Sequence, residues 1–196
     1  MEIILWSLIA YILGSIPFGL VIAKTLCNID PREDGSRNTG ATNIARLCGL
    51  PYGIATLVLD VSKGFFPVLV ASQWVESGLG LSIIAMAAIF GHAFSCFMNL
   101  KGGKAVATTV GAFIALSPWG GILSAASCLA VVALSGHVSM GSLTFALALP
   151  VFMLLTGNIA FIPAAVIVML LLFKRHKENI YRLASGEENP WLKDKA

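Results

Sequence analysis

Long apolar runs alternate with short polar stretches along this 196-residue chain. The first run covers residues 3–23, and a polar stretch from Lys24 to Gly49 follows it. Residues 50–74 and 81–98 form the next two runs, with a basic loop around Lys101 and Lys104 after them. From Ala105 to Phe173 there is no Lys, Arg, Asp or Glu at all. A membrane-spanning helix takes about 17–25 mostly apolar residues, so the first three runs read as spans. Turn-forming residues divide the uncharged stretch: Ser117-Pro118-Trp119-Gly120-Gly121, Ser135-Gly136-His137 and Thr156-Gly157-Asn158. The resulting pieces are 105–116, 122–134, 140–155 and 159–173. Each is short, but joining them into two long spans would leave turn residues in mid-bilayer.

The basic residues decide between these readings, because Lys and Arg in short loops favour the cytoplasmic face. Lys24, Arg32, Arg37 and Arg46 share the first loop, Lys101 and Lys104 the third. Lys174, Arg175, Lys177, Arg182, Lys193 and Lys195 lie in the tail. Placing all three groups inside requires four crossings between Lys104 and Lys174, which the four pieces supply. The expectation is an all-α, polytopic bundle of seven helices, N-terminus outside and C-terminus cytoplasmic, forming a single domain over residues 1–196. Glu2 precedes the first run and no basic n-region does, so that run reads as a retained span rather than a signal peptide.

Composition agrees with a membrane protein: 57% of the residues are hydrophobic and 12% charged, where soluble domains carry about 25% charged residues. The four cysteines form no CxxC and the three histidines are scattered, so neither a metal site nor a cofactor is expected. Nothing points to a nucleic-acid partner.

Three polar segments fall on the cytoplasmic face. The first runs through Asp34-Gly35-Ser36-Arg37-Asn38-Thr39-Gly40-Ala41-Thr42-Asn43, after Gly14-Ser15-Ile16-Pro17-Phe18-Gly19 in the first helix. Glycine-rich turns before a helix can form anion-binding nests, although such loops are also common as plain connectors. The second is Asn99-Leu100-Lys101-Gly102-Gly103-Lys104-Ala105, opening onto an apolar helix whose N-terminus suits a phosphate. It is no Walker loop, because Ala105 stands where Ser or Thr would be needed. In the third, His176, Asn179 and Arg182 recur every three residues and share a face if the last helix continues. Within the spans, Asp60 and Lys63 are three apart and able to pair. His92 reads as a packing histidine rather than a catalytic one.

The order GSIPFG, GSRNTGATN, LDVSKG, GHAFSCF–NLKGGKAVAT, HVSMGSL and RHKENIYRLASGEE closely resembles the bacterial acyl-phosphate:glycerol-3-phosphate acyltransferase family, from about Gly14 to Glu188. Two departures stand out: Ala105 replaces a glycine usual in GGKGVAT, and Ser95 and Cys96 stand where Pro and an apolar residue are common. The resemblance implies a seven-helix enzyme of the bacterial inner membrane with its active site facing the cytoplasm. It implies transfer of a fatty acyl group from acyl phosphate to the 1-hydroxyl of glycerol 3-phosphate. The products would be lysophosphatidic acid and phosphate, in the first step of phospholipid synthesis. Acyl-CoA and metal would play no part, and an acyl-phosphate-producing enzyme would be a partner. The residues five after His92, His137 and His176 are Phe97, Ser142 and Tyr181, so the H-x4-D pattern of other acyltransferases is absent.

Under this reading acyl phosphate is held by Ser36, Asn38, Gly40, Thr42, Asn43, Gly102 and Gly103. Lys104, Arg46, Ser142, His176 and Asn179 hold glycerol 3-phosphate or stabilise developing charge, with Lys104, His176 and Asn179 nearest the chemistry. His176 is either the base or a ligand; nearby Lys and Arg depress its basicity and favour the ligand role. The rival class is a small anion transporter or channel, using the same basic loops with Asp60 and Lys63 in a pathway. Against it, the polar residues gather at one face and no inverted repeat is evident.

Overall fold

The computed structural model describes residues 1–191; Lys193 and Lys195, assigned above to the cytoplasmic tail, lie outside the described residues. Among the described residues the regular structure is helical throughout, without a strand. Two compact units divide the chain, Met1–Leu116 and Ser117–Ala196.

In the first unit, α1 (Glu2–Ser15) and α2 (Phe18–Leu26) make up the first apolar run, broken at Ile16-Pro17. Proline has no N–H and disfavours helix at the residue before it, so the break falls where the sequence requires one. A short helix α3 (Ala41–Cys48) buries Ile44 against Ile22 and Ala23. Then come α4 (Leu50–Ala71), α5 (Gly78–Ala93), a 3₁₀ turn at Cys96–Met98 and α6 (Val106–Leu116). α1 packs on α5, and α4 on α6. Both crossings are close because glycines face backbone. A Cβ on Gly14 would strike the Ala88 carbonyl, and one on Gly64 the Thr108 carbonyl. Small residues at helix crossings allow this approach where lipid offers no hydrophobic drive for association.

The second unit pairs α7 (Pro118–Ser135) with α8 (Val138–Leu155), turning at Gly136 with φ 72°. α9 (Ile162–Arg175) packs on α8, and α10 (Lys177–Ser185) follows. The segment Ser117–Gly121, expected to be a turn, instead starts α7. Ser117 caps it, its Oγ accepting from Gly120 N at 3.3 Å, and Pro118 takes the first position, where a missing N–H does no harm.

Among the described residues five helical stretches are long and apolar enough to cross a membrane, α1 and α2 together forming the first, and there is a sixth if α9 and α10, bent by 60°, count as one. Leu5, Leu8, Val58, Leu129, Leu154 and Leu170 lie exposed on them, as lipid-facing residues do. α6 has 11 residues, a rise of roughly 16 Å against a hydrocarbon core of about 30 Å. The final helix does not run on through His176 as the three-residue recurrence required. Its bend places His176 at a junction, with Asn179 and Arg182 on α10.

Candidate active site

The loop from Asp30 to Gly40 is organised by Asn43, which is buried in α3. Its Oδ1 accepts from Ser36 N at 2.9 Å, and its Nδ2 donates to the carbonyls of Asn38 at 2.8 Å and Pro31 at 3.1 Å. Asn38 Oδ1 in turn accepts from Gly40 N at 2.9 Å. Four of the expected phosphate residues thus form one hydrogen-bonded loop, in which Asn43 shapes the backbone. Thr42, in the first turn of α3, is half-buried, while Ser36 and Arg46 are exposed. Asp30 receives Arg32 at 2.6 Å and Lys24 at 3.0 Å. Hydrogen bonding from Arg32, aided by Lys24 and opposed by burial, holds its carboxyl well below the usual carboxylate range.

In the second loop the amides of Gly102 and Gly103 donate to the carbonyls of Ala93 and His92, both at 3.1 Å. Those N–H groups are therefore turned onto the end of α5. What the glycines supply is close approach: a Cβ on Gly102 would collide with the His92 carbonyl, and one on Gly103 with its imidazole. The first-turn amides of α6 beside Lys104 remain the loop's anion-attracting feature. Ala105 adopts φ 66°, a left-handed conformation that glycine takes without strain.

A polar recess opens at the break in the first apolar run. It is lined by Ser15–Gly19, Thr39, Asp60, Lys63, His92, Ser95 and Gly103. Breaking a helix leaves carbonyls without their usual donors. Here Ser95 Oγ donates to the Ser15 carbonyl at 2.6 Å, and Lys63 Nζ to that of Ile16 at 2.7 Å. Lys63 also pairs with Asp60 at 2.7 Å, both side chains under 5% exposed, as their spacing predicted. Asp60 Oδ1 lies 3.7 Å from His92 Nδ1, which is 3.0 Å from Thr108 Oγ1. Of the expected substrate residues only Gly103 borders this recess; His92, read as a packing histidine, and Ser95 line it too, with Lys63, whose place within a span allowed either a structural bridge or support of a site. Beside the recess runs an apolar groove of Leu13, Leu59, Phe66 and Pro67, sharing Ile16, Phe18 and Lys63 with it.

In the second unit His176 and Asn179 are both buried. His176 Nδ1 lies 2.8 Å from the Leu172 carbonyl, which only accepts, so Nδ1 is the donor in that contact. Asn179 Nδ2 donates to Glu188 Oε1 at 2.6 Å, and Arg182 Nε to Glu188 Oε2 at 2.7 Å. Burial would raise the Glu188 carboxyl, but hydrogen bonds from Asn179 and Arg182 outweigh it and hold it below the usual range. Ser142, buried in α8, donates its hydroxyl to the Val138 carbonyl at 2.9 Å and keeps its oxygen as an acceptor. Glu188 is the residue that sequence reasoning left without a role.

Apolar helices with exposed aliphatic faces, carrying a polar recess in which Lys63 pairs with Asp60 beside His92 and Ser95, define an integral membrane protein. The chain belongs to the glycerol-3-phosphate acyltransferase family, whose sequence profile matches residues 4–186. It is 58% identical over 192 residues to the glycerol-3-phosphate acyltransferase of Maridesulfovibrio salexigens, covering 98% of each chain. Two crystal structures of PlsY (YgiH), an integral membrane glycerol 3-phosphate acyltransferase, share its fold. The glycerol 3-phosphate form superposes with a TM-score of 0.92 at 36% identity, over 97% of this chain and 96% of that one. The lysophosphatidic acid form gives 0.90 at 35% identity, over 97% and 95%.

Proposed function

We propose that this protein transfers a fatty acyl group from acyl phosphate to the 1-hydroxyl of glycerol 3-phosphate, yielding 1-acyl-glycerol 3-phosphate and phosphate. The observation that carries the reading is membership of this family, together with the hydrogen-bonded loop around Asn43 and an apolar groove that suits a long alkyl tail.

Acyl phosphate is a mixed anhydride and already activated, so no covalent acyl-enzyme is needed. The hydroxyl oxygen of glycerol 3-phosphate bonds to the acyl carbon, and the bond from that carbon to the phosphate oxygen breaks. The hydroxyl proton passes to an oxygen of the departing phosphate. The protein's task is to hold the hydroxyl roughly 3–3.5 Å from the carbonyl carbon and to neutralise two phosphates. Ser36, Asn38, Gly40, Thr42 and Asn43 serve the donor through the loop they build, with Gly102 and Gly103 shaping the second loop. Lys104 and Arg46 supply positive charge, while Ser142, His176 and Asn179 engage glycerol 3-phosphate. His176 acts as a ligand rather than as the base.

The topology follows from charge. Seven crossings, with α6 completed by its flanking residues, keep every basic loop on the cytoplasmic side of the bacterial inner membrane. The two units then act as a single acyltransferase domain, supplied by an enzyme that makes acyl phosphate and opening phospholipid synthesis.

Purified protein given glycerol 3-phosphate with either acyl phosphate or acyl-CoA tests the reaction. Phosphate release and acylated product are expected with acyl phosphate alone, unaffected by chelators. Efficient turnover of acyl-CoA would refute the donor assignment, and an inert protein the activity.

A further inference from the structure

Gly19 is a residue of the first apolar run to which the proposed chemistry gives no part. It lies buried in the first turn of α2, just past the break at Ile16-Pro17. Nothing in α2 itself asks for glycine there, since alanine is the better helix former. What asks for it is the loop from Ser36 to Gly40. A Cβ on Gly19 would collide with the Thr39 carbonyl and come within 3.1 Å of Ile44 Cγ1. Thr39 is the buried residue of that loop, between Asn38 and Gly40, and Ile44 is wholly buried in α3. The start of α2 therefore meets the loop backbone to backbone, and meets the helix that follows the loop as well.

This turn of α2 is itself held from other helices. The break removes the continuous backbone ladder that would otherwise fix it to α1. Instead Ser95 Oγ donates to the Ser15 carbonyl at 2.6 Å and Lys63 Nζ to the Ile16 carbonyl at 2.7 Å, with Lys63 anchored on Asp60 at 2.7 Å. On the loop's side, Asn43 accepts from Ser36 N and donates to the Asn38 carbonyl, so the loop is bonded into one unit. The contact between Gly19 and Thr39 then sets how far that unit stands from α2.

We propose that Gly19 is a positioning residue for the acyl donor: by letting Thr39 rest on the backbone of α2, it places the Ser36–Gly40 loop, and with it the donor's phosphate, for attack by the acceptor hydroxyl. The inference rests on the reading above that this loop serves acyl phosphate.

Gly19→Ala adds one methyl group and should push the Thr39 carbonyl away by on the order of 1 Å, a misplacement that can cost about 10²-fold. Each substrate is varied with the other saturating, using purified enzyme. The variant should show kcat/KM for acyl phosphate lowered by about a hundredfold, with KM for glycerol 3-phosphate within about threefold of wild type. Gly111→Ala controls for packing alone. Its Cβ would collide with the Val61 carbonyl where α6 packs on α4, so it should lower the unfolding midpoint without the donor-selective loss. Should Gly19→Ala fail to fold, Lys63→Met with Asp60→Asn loosens the seat without adding bulk. That double variant should show the same selectivity, with kcat/KM for acyl phosphate down about tenfold, the scale of one lost hydrogen bond. Unchanged donor kinetics in folded Gly19→Ala would overturn the proposal, as would KM values for both substrates raised alike in either variant. The same donor-selective loss in Gly111→Ala would overturn it too. A wild-type enzyme inert with acyl phosphate would overturn the functional reading and this inference with it.

Discussion

Lys63→Met tests whether the intramembrane ion pair braces the break in the first apolar run. Lys63 Nζ bonds both Asp60 Oδ1 and the Ile16 carbonyl at 2.7 Å, and lies 5.6 Å from the centre of the Phe18 ring. Methionine fills a similar volume, so the loss is electrostatic rather than a cavity. Removing one partner of a buried pair leaves an uncompensated charge and costs about 3–5 kcal/mol. The carbonyl left without a donor adds about 1–3 kcal/mol. The single variant should therefore lose about 4–8 kcal/mol, enough to unfold a protein of ordinary marginal stability. Asp60→Asn in the same chain removes the orphaned charge and leaves mainly the carbonyl, so the double variant should recover about 3–5 kcal/mol. Thermal unfolding in mild detergent, followed by monodispersity, ranks the three proteins. Equal destabilisation of the single and double variants would refute the argument, since no charge penalty would then exist. Activity of the double variant adds a second readout. Because Lys63 holds the Ile16 carbonyl in the recess wall, activity should fall even where folding is restored.

Ala105→Gly should stabilise the protein by roughly 1 kcal/mol, since φ 66° strains alanine and not glycine; a lower midpoint of unfolding would contradict this. Lys104→Ala should lower kcat/KM by about 10²–10³, the scale of one preorganised charge-stabilising donor. His176→Gln should chiefly raise KM for glycerol 3-phosphate and leave kcat within about tenfold, whereas normal binding with a thousandfold loss of kcat would make it the base. Cysteines placed near Glu76, Trp119 and Gly157 should react with an impermeant reagent outside intact cells, and those near Arg37 and Lys101 should not; labelling at Lys101 would invert the topology.

Apolar runs and the placement of thirteen basic residues were enough to announce a polytopic helical membrane protein, because lipid penalises exposed charge and unpaired backbone so heavily. The Asp60–Lys63 pair was also legible, since three residues of helix bring both side chains to one face. The family could be read from the order of its motifs, each weak alone. Tertiary structure decided matters that depend on distant partners. Whether Gly102 and Gly103 offer their amides to a ligand or to the end of α5 is settled by the carbonyls of Ala93 and His92, which no loop motif records. Ser117–Gly121 begins a helix because Ser117 and Pro118 have α7 to cap, while the same residues in isolation suggest a turn. The recess at Pro17 exists because Lys63 and Ser95 arrive from other helices to satisfy the carbonyls that the break exposes. Glu188 meets Asn179 only when the chain after Gly186 turns back onto α10, bringing a carboxylate within 2.6 Å of the amide. Sequence period and charge act locally and against the solvent, and so they show in the chain itself. Hydrogen-bond partners across helices are chosen by packing, and appear only once the chain has folded.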